Sequence, residues 1–316
     1  MTACSVQSLA AGEPLAGTAP VAQCWIVIEQ PGPWGRQALH DNRMEPNIGP
    51  VLAESISGTG TRVLLARHPQ RRTLTGSRHV WIAHTAPGTS VLRTGEIADV
   101  REILDWDPAA MAAGSLPEFG RITAEPILFV CTHSGRDACC AIKGRDLVGE
   151  LMSGLTPDRR LQVWECSHIG GHRFAPTALA LPSGDVFGRL TATATMDVLA
   201  AEGSGSVSVE HYRGRSCFPA PMQVAEARVR AEGILDRDAL DVLWVRGDRA
   251  IPVPPGGDLD GIASMLAEVR HADGRAWHVP VRQAPLQAPR AESCGGEQVE
   301  GHGWQAVDCT PTAPWR

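Results

Sequence analysis

The chain has 316 residues, 43% hydrophobic and 20% charged, with a net charge of −6. This is enough apolar material for two domains, or for one large domain with an appendage. No basic excess points to nucleic acid or an anionic membrane as a partner, and no run approaches the roughly eighteen apolar residues needed to cross a bilayer.

The opening stretch, MTACSVQSLAAGEPLAGTAPVAQ, lacks the basic start and apolar core of a secretory signal, and residues 1–20 read as a disordered lead-in. CWIVIE is a strand, Cys24–Glu29, followed by a Pro/Gly turn at Pro31–Gly35 and a helix start that VLAESIS continues. Thr61–His68 and Arg78–Thr85 read as strands, and TGEIADVREIL predicts a helix at 94–104. Ser115–Glu125 reads as a linker. A strand follows at Pro126–Val130, then a cysteine-bearing loop. The next helix, AIKGRDLVGELMSGL, places Ile142, Leu147, Leu151 and Leu155 on one face. After it come a strand at Arg160–Ser167, an HIGGH loop, a hairpin of Thr177–Leu181 with Val186–Leu190, and a helix at 194–202.

Beyond Gln223, AEARVRAEGIL reads as a helix and DRDALDVLWV as a helix running into a strand. Pro252–Gly257 is a turn cluster. MLAEVRHADG and RAWHVPVRQ are short strands, and the tail from Ala288 is polar and Gly-rich. Strand–loop–helix–strand occurs twice, at Cys24–His68 and at Pro126–Ser167. The expected fold class is therefore α/β: an N-terminal unit over 21–115, a similar unit over 121–222, and an α+β region over 223–316.

Four of the nine cysteines and three of the eleven histidines fall in CTHSGRDACC (131–140) and ECSHIGGHRF (165–174). An odd number of cysteines and no export signal argue for a reducing, cytoplasmic compartment. There, clustered Cys and His signal metal or redox chemistry before structural disulfides. Cys131 and Cys140 are one pair, and His168 and His172 another. Each pair sits on a loop directly after a predicted strand, and parallel neighbouring strands deliver both loops to the same sheet edge. Gly170 and Gly171 let the histidine loop turn sharply and approach a bulky ligand.

Two Cys with two His admit zinc, although the Cys131–Cys140 gap is long for a zinc knuckle. They equally admit a [2Fe–2S] cluster, in which two His can replace two Cys on one iron. A thiol–disulfide oxidoreductase using Cys139, Cys140 or Cys166 is a third reading, but the chain has no C-x-x-C. The plain alternative is a set of buried cysteines and hydrogen-bonded loop histidines. Arg136 and Arg173 flank the loops, positioned to meet cluster sulfides or a partner's carboxylates. His133 reads as a supporting residue, and Trp34 as part of a turn beside the site. Tyr212, Arg213 and Arg215 are candidates to pack over the site or to form a docking rim. Cys4, Cys24, Cys217, Cys294 and Cys309 read as non-ligands. No G-x-G-x-x-G or G-x-S-x-G occurs in a suitable context.

FVCTHSGRDACCAIKGRDL, VWECSHIGGHRFAPTALALPSGDVFGRL and HYRGRS together resemble the sucrase/ferredoxin-like family, which includes bis-histidinyl thioredoxin-like ferredoxins, and WIVIEQPGPWGRQAL resembles its bacterial members. The resemblance implies a thioredoxin-like ferredoxin domain; the repeated pattern, with the clustered cysteines and histidine pair in its second unit alone, reads the N-terminal unit as a degenerate copy of it. The resemblance also implies a [2Fe–2S] cluster held by Cys131, Cys140, His168 and His172. Family spacing favours Cys140 over its neighbour Cys139, with Cys166 in reserve. The implied role is electron transfer between redox donor and acceptor proteins rather than stand-alone catalysis. No acidic pair in a glycosidase context supports the sucrase part of the name.

Overall fold

A computed structural model describes residues 3–70, 76–247, 249–253 and 261–315. The chain opens with a helix, α1 (Cys4–Ala10). The first half contains β1 (Cys24–Glu29), α2 (Ile48–Ser55), β2 (Thr61–Arg67), β3 (Arg78–His84), β4 (Val91–Ile97), α3 (Pro108–Ala112) and β5 (Arg121–Thr123). The second contains β6 (Ile127–Cys131), α4 (Ala138–Gly154), α5 (Pro157–Arg160), β7 (Val163–Cys166), β8 (Ala178–Leu181), β9 (Asp185–Phe187), α6 (Ala192–Gly203) and β10 (Tyr212–Arg215).

Among the described residues these strands form one ten-stranded sheet, ordered β10-β9-β8-β6-β7-β2-β1-β3-β4-β5. The order repeats about its centre. β1 runs parallel to β2 and antiparallel to β3, which pairs with β4. β6 runs parallel to β7 and antiparallel to β8, which pairs with β9. Each half is thus a thioredoxin-like unit, and the two join edge to edge where β2 meets β7 antiparallel, Ala66 opposite Cys166. The joint removes two open sheet edges at once. It also explains the uninterrupted apolar runs of β1 and β6, which are central strands covered on both faces. One face carries a core shared by both halves, with Trp25, Trp81, Phe129 and Trp164. On the other face, each half packs under its own helices.

A second, six-stranded sheet follows α7 (Ala220–Arg230). It comprises β11 (Leu240–Arg246), β12 (Arg249–Ile251), β13 (Ser264–His271) and β14 (Ala276–Pro285) and, past the small pair β15 (Arg290–Ala291) and β16 (Gln298–Val299), β17 (His302–Ala306) and β18 (Thr310–Pro311). α7 packs on this sheet through Met222, Val224, Ala225 and Val229 and lies against β10 at the edge of the ten-stranded sheet. Among the described residues, no helix is long and apolar enough to cross a membrane.

Several expectations are corrected. Residues 3–20 are docked rather than disordered: Cys4, Ser8 and Glu13 are buried. The segment expected as a helix at 94–104 is the end of β4 followed by a 3-10 turn at Val100–Asp105. Strand pairing with β3 overrides its helical pattern, and the Asp99 carboxylate caps the turn by accepting the Arg101 backbone N–H. The Ser115–Glu125 linker contains edge strand β5. DRDALDVLWV carries only β11, with no helix before it. Ile142 faces solvent, while Leu147, Leu151 and Leu155 are buried. Of the expected turn at Pro252–Gly257, residues 254–257 lie outside the described residues.

Candidate metal centre

β6 and β7 are parallel, so the loops after them leave the same sheet edge. Cys131 is the last residue of β6. Cys140 lies in the first turn of α4, whose N-cap is Asp137; the carboxylate accepts the Cys139 N–H at 2.7 Å. Helix and strand come close at Gly144, one turn beyond Cys140, where a Cβ would run into the Cys131 carbonyl oxygen. This glycine brings Cys140 against Cys131.

The histidine loop then closes the site. Gly170 and Gly171 have φ of +117° and +72°, and Gly171 has no room for a side chain beside Arg213 and Phe174. His168 Nδ1 lies 3.9 Å from Cys131 Sγ and 4.0 Å from Cys140 Sγ. These three ligand atoms lie within 4.8 Å of one another and could hold a metal ion. The His172 ring lies alongside that of His168, with centroids 5.3 Å apart at 34°. Its Nε2 meets the Glu292 carbonyl at 2.5 Å, while its Nδ1 is buried with no partner. A proton on Nε2 leaves Nδ1 as a bare lone pair, the form in which imidazole binds metal.

Burial grades across the site. Cys131 and Cys140 are fully buried, while His168 and His172 are half-buried. A hydrogen bond from Cys140 holds the Cys131 thiol well below its ordinary range against the effect of burial, and the His168 ring adds to this. Cys140, as donor to Cys131 and in the same buried place, is pushed up. The positive end of α4 favours thiolates in its first turn. Burial lowers the His172 pKa, keeping the ring neutral.

His133 supports His168. Its Nδ1 accepts the His168 backbone N–H at 3.2 Å, and its Nε2 donates to the Gly35 carbonyl at 2.6 Å. The PGPWG turn of the first half therefore braces the second-half site, with Trp34 edge-on to His133. Arg213 braces the other side, donating to the Gly170 carbonyl at 3.0 Å and stacking on Phe174.

The remaining candidates fall elsewhere. Arg173 does not reach the thiols; it pairs with Glu13 at 2.7 Å, and Glu13 also binds Arg290. Tyr212, Arg213 and Arg215 are buried and cannot form a docking rim. Tyr212 instead donates to Glu226 at 2.9 Å, and Arg215 pairs with Asp238 at 3.2 Å. Arg136 is exposed, and with Arg36 it lines the cavities beside His168 and His172, about 230 and 380 Å³ respectively. Cys166 is buried in the sheet opposite Cys131 and its thiol is raised by burial. Cys139 points away from Cys140, toward Cys4 and Cys294. Cys4 and Cys294, expected as non-ligands, share a second group with Cys139 and Asp137 that could hold a metal ion. Sequence reasoning missed it because its members lie at opposite ends of the chain.

Fold and site together define a class: thioredoxin-like α/β proteins that can hold a metal ion between a cysteine pair and a histidine loop. The chain belongs to the sucrase/ferredoxin-like family, whose model matches residues 15–214. No curated protein and no solved structure matches it.

Proposed function

We propose that the protein is an electron carrier whose Cys131, Cys140, His168 and His172 hold a [2Fe–2S] cluster. The observation that carries this reading is the buried, unpartnered Nδ1 of His172 beside the Cys131–Cys140–His168 group. It completes a set of two thiolates on the inner side and two imidazoles on the outer side. One tetrahedral zinc would hold sulfur and nitrogen about 3.6 Å apart. The Cys–His168 separations of 3.9 and 4.0 Å lie within a few tenths of an ångström of that, so a cluster with its imidazoles on the second iron asks the histidine loop to stand further out than it does here. Bound there, such a cluster takes up and returns one electron, at a potential raised by histidine ligation.

The chain's own residues set the rest. The buried thiolate side is closed to water. The half-buried imidazoles face the cavities rimmed by Arg36 and Arg136, so an acidic redox partner is the expected match. The Glu292 backbone carbonyl accepts a hydrogen bond from His172 Nε2 and so holds the proton on that nitrogen.

A zinc site with the same ligands is the second reading, favoured by three donor atoms lying within 4.8 Å of one another. Iron, acid-labile sulfide and zinc counts on anaerobically purified protein separate the two. About two irons and two sulfides per chain, with a visible spectrum that bleaches on reduction, are expected. A colourless protein that stays so after cluster reconstitution refutes the electron-carrier reading. His168→Cys or His172→Cys should retain a cluster, lower its potential and weaken its pH dependence. A potential that stays pH-dependent and unchanged in both variants rules out these ligands.

A further inference from the structure

Cys4, Cys139 and Cys294 meet on the far side of the α4 N-terminus from the first site. Their sulfurs form a triangle with edges of 3.4 Å (Cys4–Cys139), 3.1 Å (Cys139–Cys294) and 3.5 Å (Cys4–Cys294). Asp137 Oδ1 lies 3.8 Å from Cys4 Sγ, and all four ligand atoms lie within 4.8 Å of one another. We propose that Cys4, Cys139 and Cys294, with the Asp137 carboxylate as fourth ligand, form a second metal site that takes Zn²⁺.

The donor chemistry argues for this ion. Three soft thiolates and one carboxylate suit four-coordinate zinc. Zn–S bonds of about 2.3 Å in a tetrahedron put sulfurs about 3.8 Å apart. The observed edges of 3.1–3.5 Å need to widen by less than about 1 Å to reach that. A [2Fe–2S] cluster would need at least one of the three thiolates on its second iron, much further from the other two.

A disulfide accounts for the triangle less well. At 3.1 Å the closest pair is far from the 2.05 Å of a bond, and any pairing strands the third sulfur. The carboxylate is already aimed: Oδ1 accepts the Cys139 N–H at 2.7 Å and Oδ2 the Cys294 N–H at 2.9 Å, and the Cys4 thiol donates to Oδ1, a proton that metal binding would displace. Cys4, Cys139 and Asp137 are buried. Half-buried Cys294 borders the cavity of about 380 Å³ shared with His172, which gives the ion an entrance.

Cys4 and Cys294 both lie outside residues 15–214, the part that matches the family. Two of the four ligands, Asp137 and Cys139, thus come from the matched part and two from the segments outside it. Zinc there would staple α1 and the 293–296 turn onto the start of α4, the turn that carries Cys140. Asp137 Oδ2 also lies 3.8 Å from His172 Nε2, so the staple would back the histidine loop. An ion that binds only the folded chain adds its binding free energy to stability.

The test uses full-length protein, purified anaerobically and washed with a weak chelator. Zinc, iron and sulfide are counted in the wild type, in Cys131→Ser and in the Cys4→Ser/Cys294→Ser double variant. Cys131→Ser should hold about one zinc per chain, and the wild type one, or two if the first site also takes zinc. The double variant should lose the zinc of this second site while keeping whatever iron and sulfide the wild type holds. Because Cys131→Ser disables only the first site, failure of the ferredoxin reading does not touch this result. Cobalt titration of metal-free protein guards against misfolding: the thiolate-to-cobalt charge-transfer band should persist in Cys131→Ser and weaken in Cys294→Ser alone. Equal zinc in wild type and double variant, iron and sulfide that leave with these cysteines, or a Cys139–Cys294 disulfide in thiol-trapped protein would each overturn the proposal.

Discussion

Gly144→Ala probes how the fold builds its first site. Gly144 is buried inside α4, where the helix crosses the end of β6. An added Cβ would overlap the Cys131 carbonyl oxygen and sit 3.2 Å from its carbon and 3.4 Å from Thr132 Cγ2. The atoms met are mainly backbone, so no side chain can swing aside. Relief means moving the helix off the strand by on the order of 1 Å, which carries Cys140 away from Cys131. Overpacking of this kind costs about 1–3 kcal/mol and outweighs the roughly 1 kcal/mol of helix propensity gained. Gly149 is the matched control: it is exposed on the same helix, and its Cβ would meet nothing within 4 Å. Gly149→Ala should therefore raise the melting temperature by about 2–4 °C, while Gly144→Ala lowers it and reduces bound metal. Thermal denaturation and metal analysis on both variants decide. A Gly144→Ala protein with wild-type melting temperature and metal content would show that the close helix–strand approach does not shape the site.

His133→Ala removes the acceptor for the His168 N–H and a donor to Gly35. It should cost about 1–3 kcal/mol and lower metal occupancy, read by denaturant unfolding and metal counts. Glu13 is desolvated by burial, yet Arg290 and Arg173 hold its pKa below the ordinary value. The stability it provides is full above about pH 4.5 and is lost as pH falls through its lowered folded pKa. The residue 3–20 segment should accordingly become susceptible to protease in acid. Glu13→Gln should bring that susceptibility to neutral pH, because it leaves two arginines short of a charge; equal digestion of wild type and variant at pH 7 would remove Glu13 from this role. On the proposed electron-carrier function, Arg36→Glu with Arg136→Glu should slow electron exchange with an acidic partner about tenfold or more and flatten its salt dependence, measured by stopped-flow at several ionic strengths.

Some elements were legible because their signal is local. β1 and β6 read as strands from continuous apolar runs bounded by turn residues, and the φ values of Gly170 and Gly171 answer the turn that Gly-Gly predicts. Cys131, Cys140 and His168 converge because parallel strands send their following loops to one edge, a consequence of topology that strand order along the chain already implies. The misread segments are those where distant partners outweigh local preference. The 94–97 stretch has helical periodicity, but β3 claims its backbone hydrogen bonds. The N-terminal segment is too short and too small in side chains to hold a helix alone. It is fixed by Glu13 meeting Arg173 and Arg290, and by Cys4 meeting Cys139 and Cys294.

The sequence by itself determined the strand pattern, the repeat of an α/β unit and the two loops that carry the candidate ligands, because periodicity, glycine conformation and spacing are properties of neighbouring residues. Only the tertiary structure decided that the two units share one sheet through β2 and β7, and that Arg213 is a buried brace rather than a surface contact. It also decided that adjacent Cys139 and Cys140 serve two separate groups. The physical reason for the last is helical geometry: successive side chains on a helix diverge by about 100°. One cysteine therefore faces β6, and the other faces the joined ends of the chain.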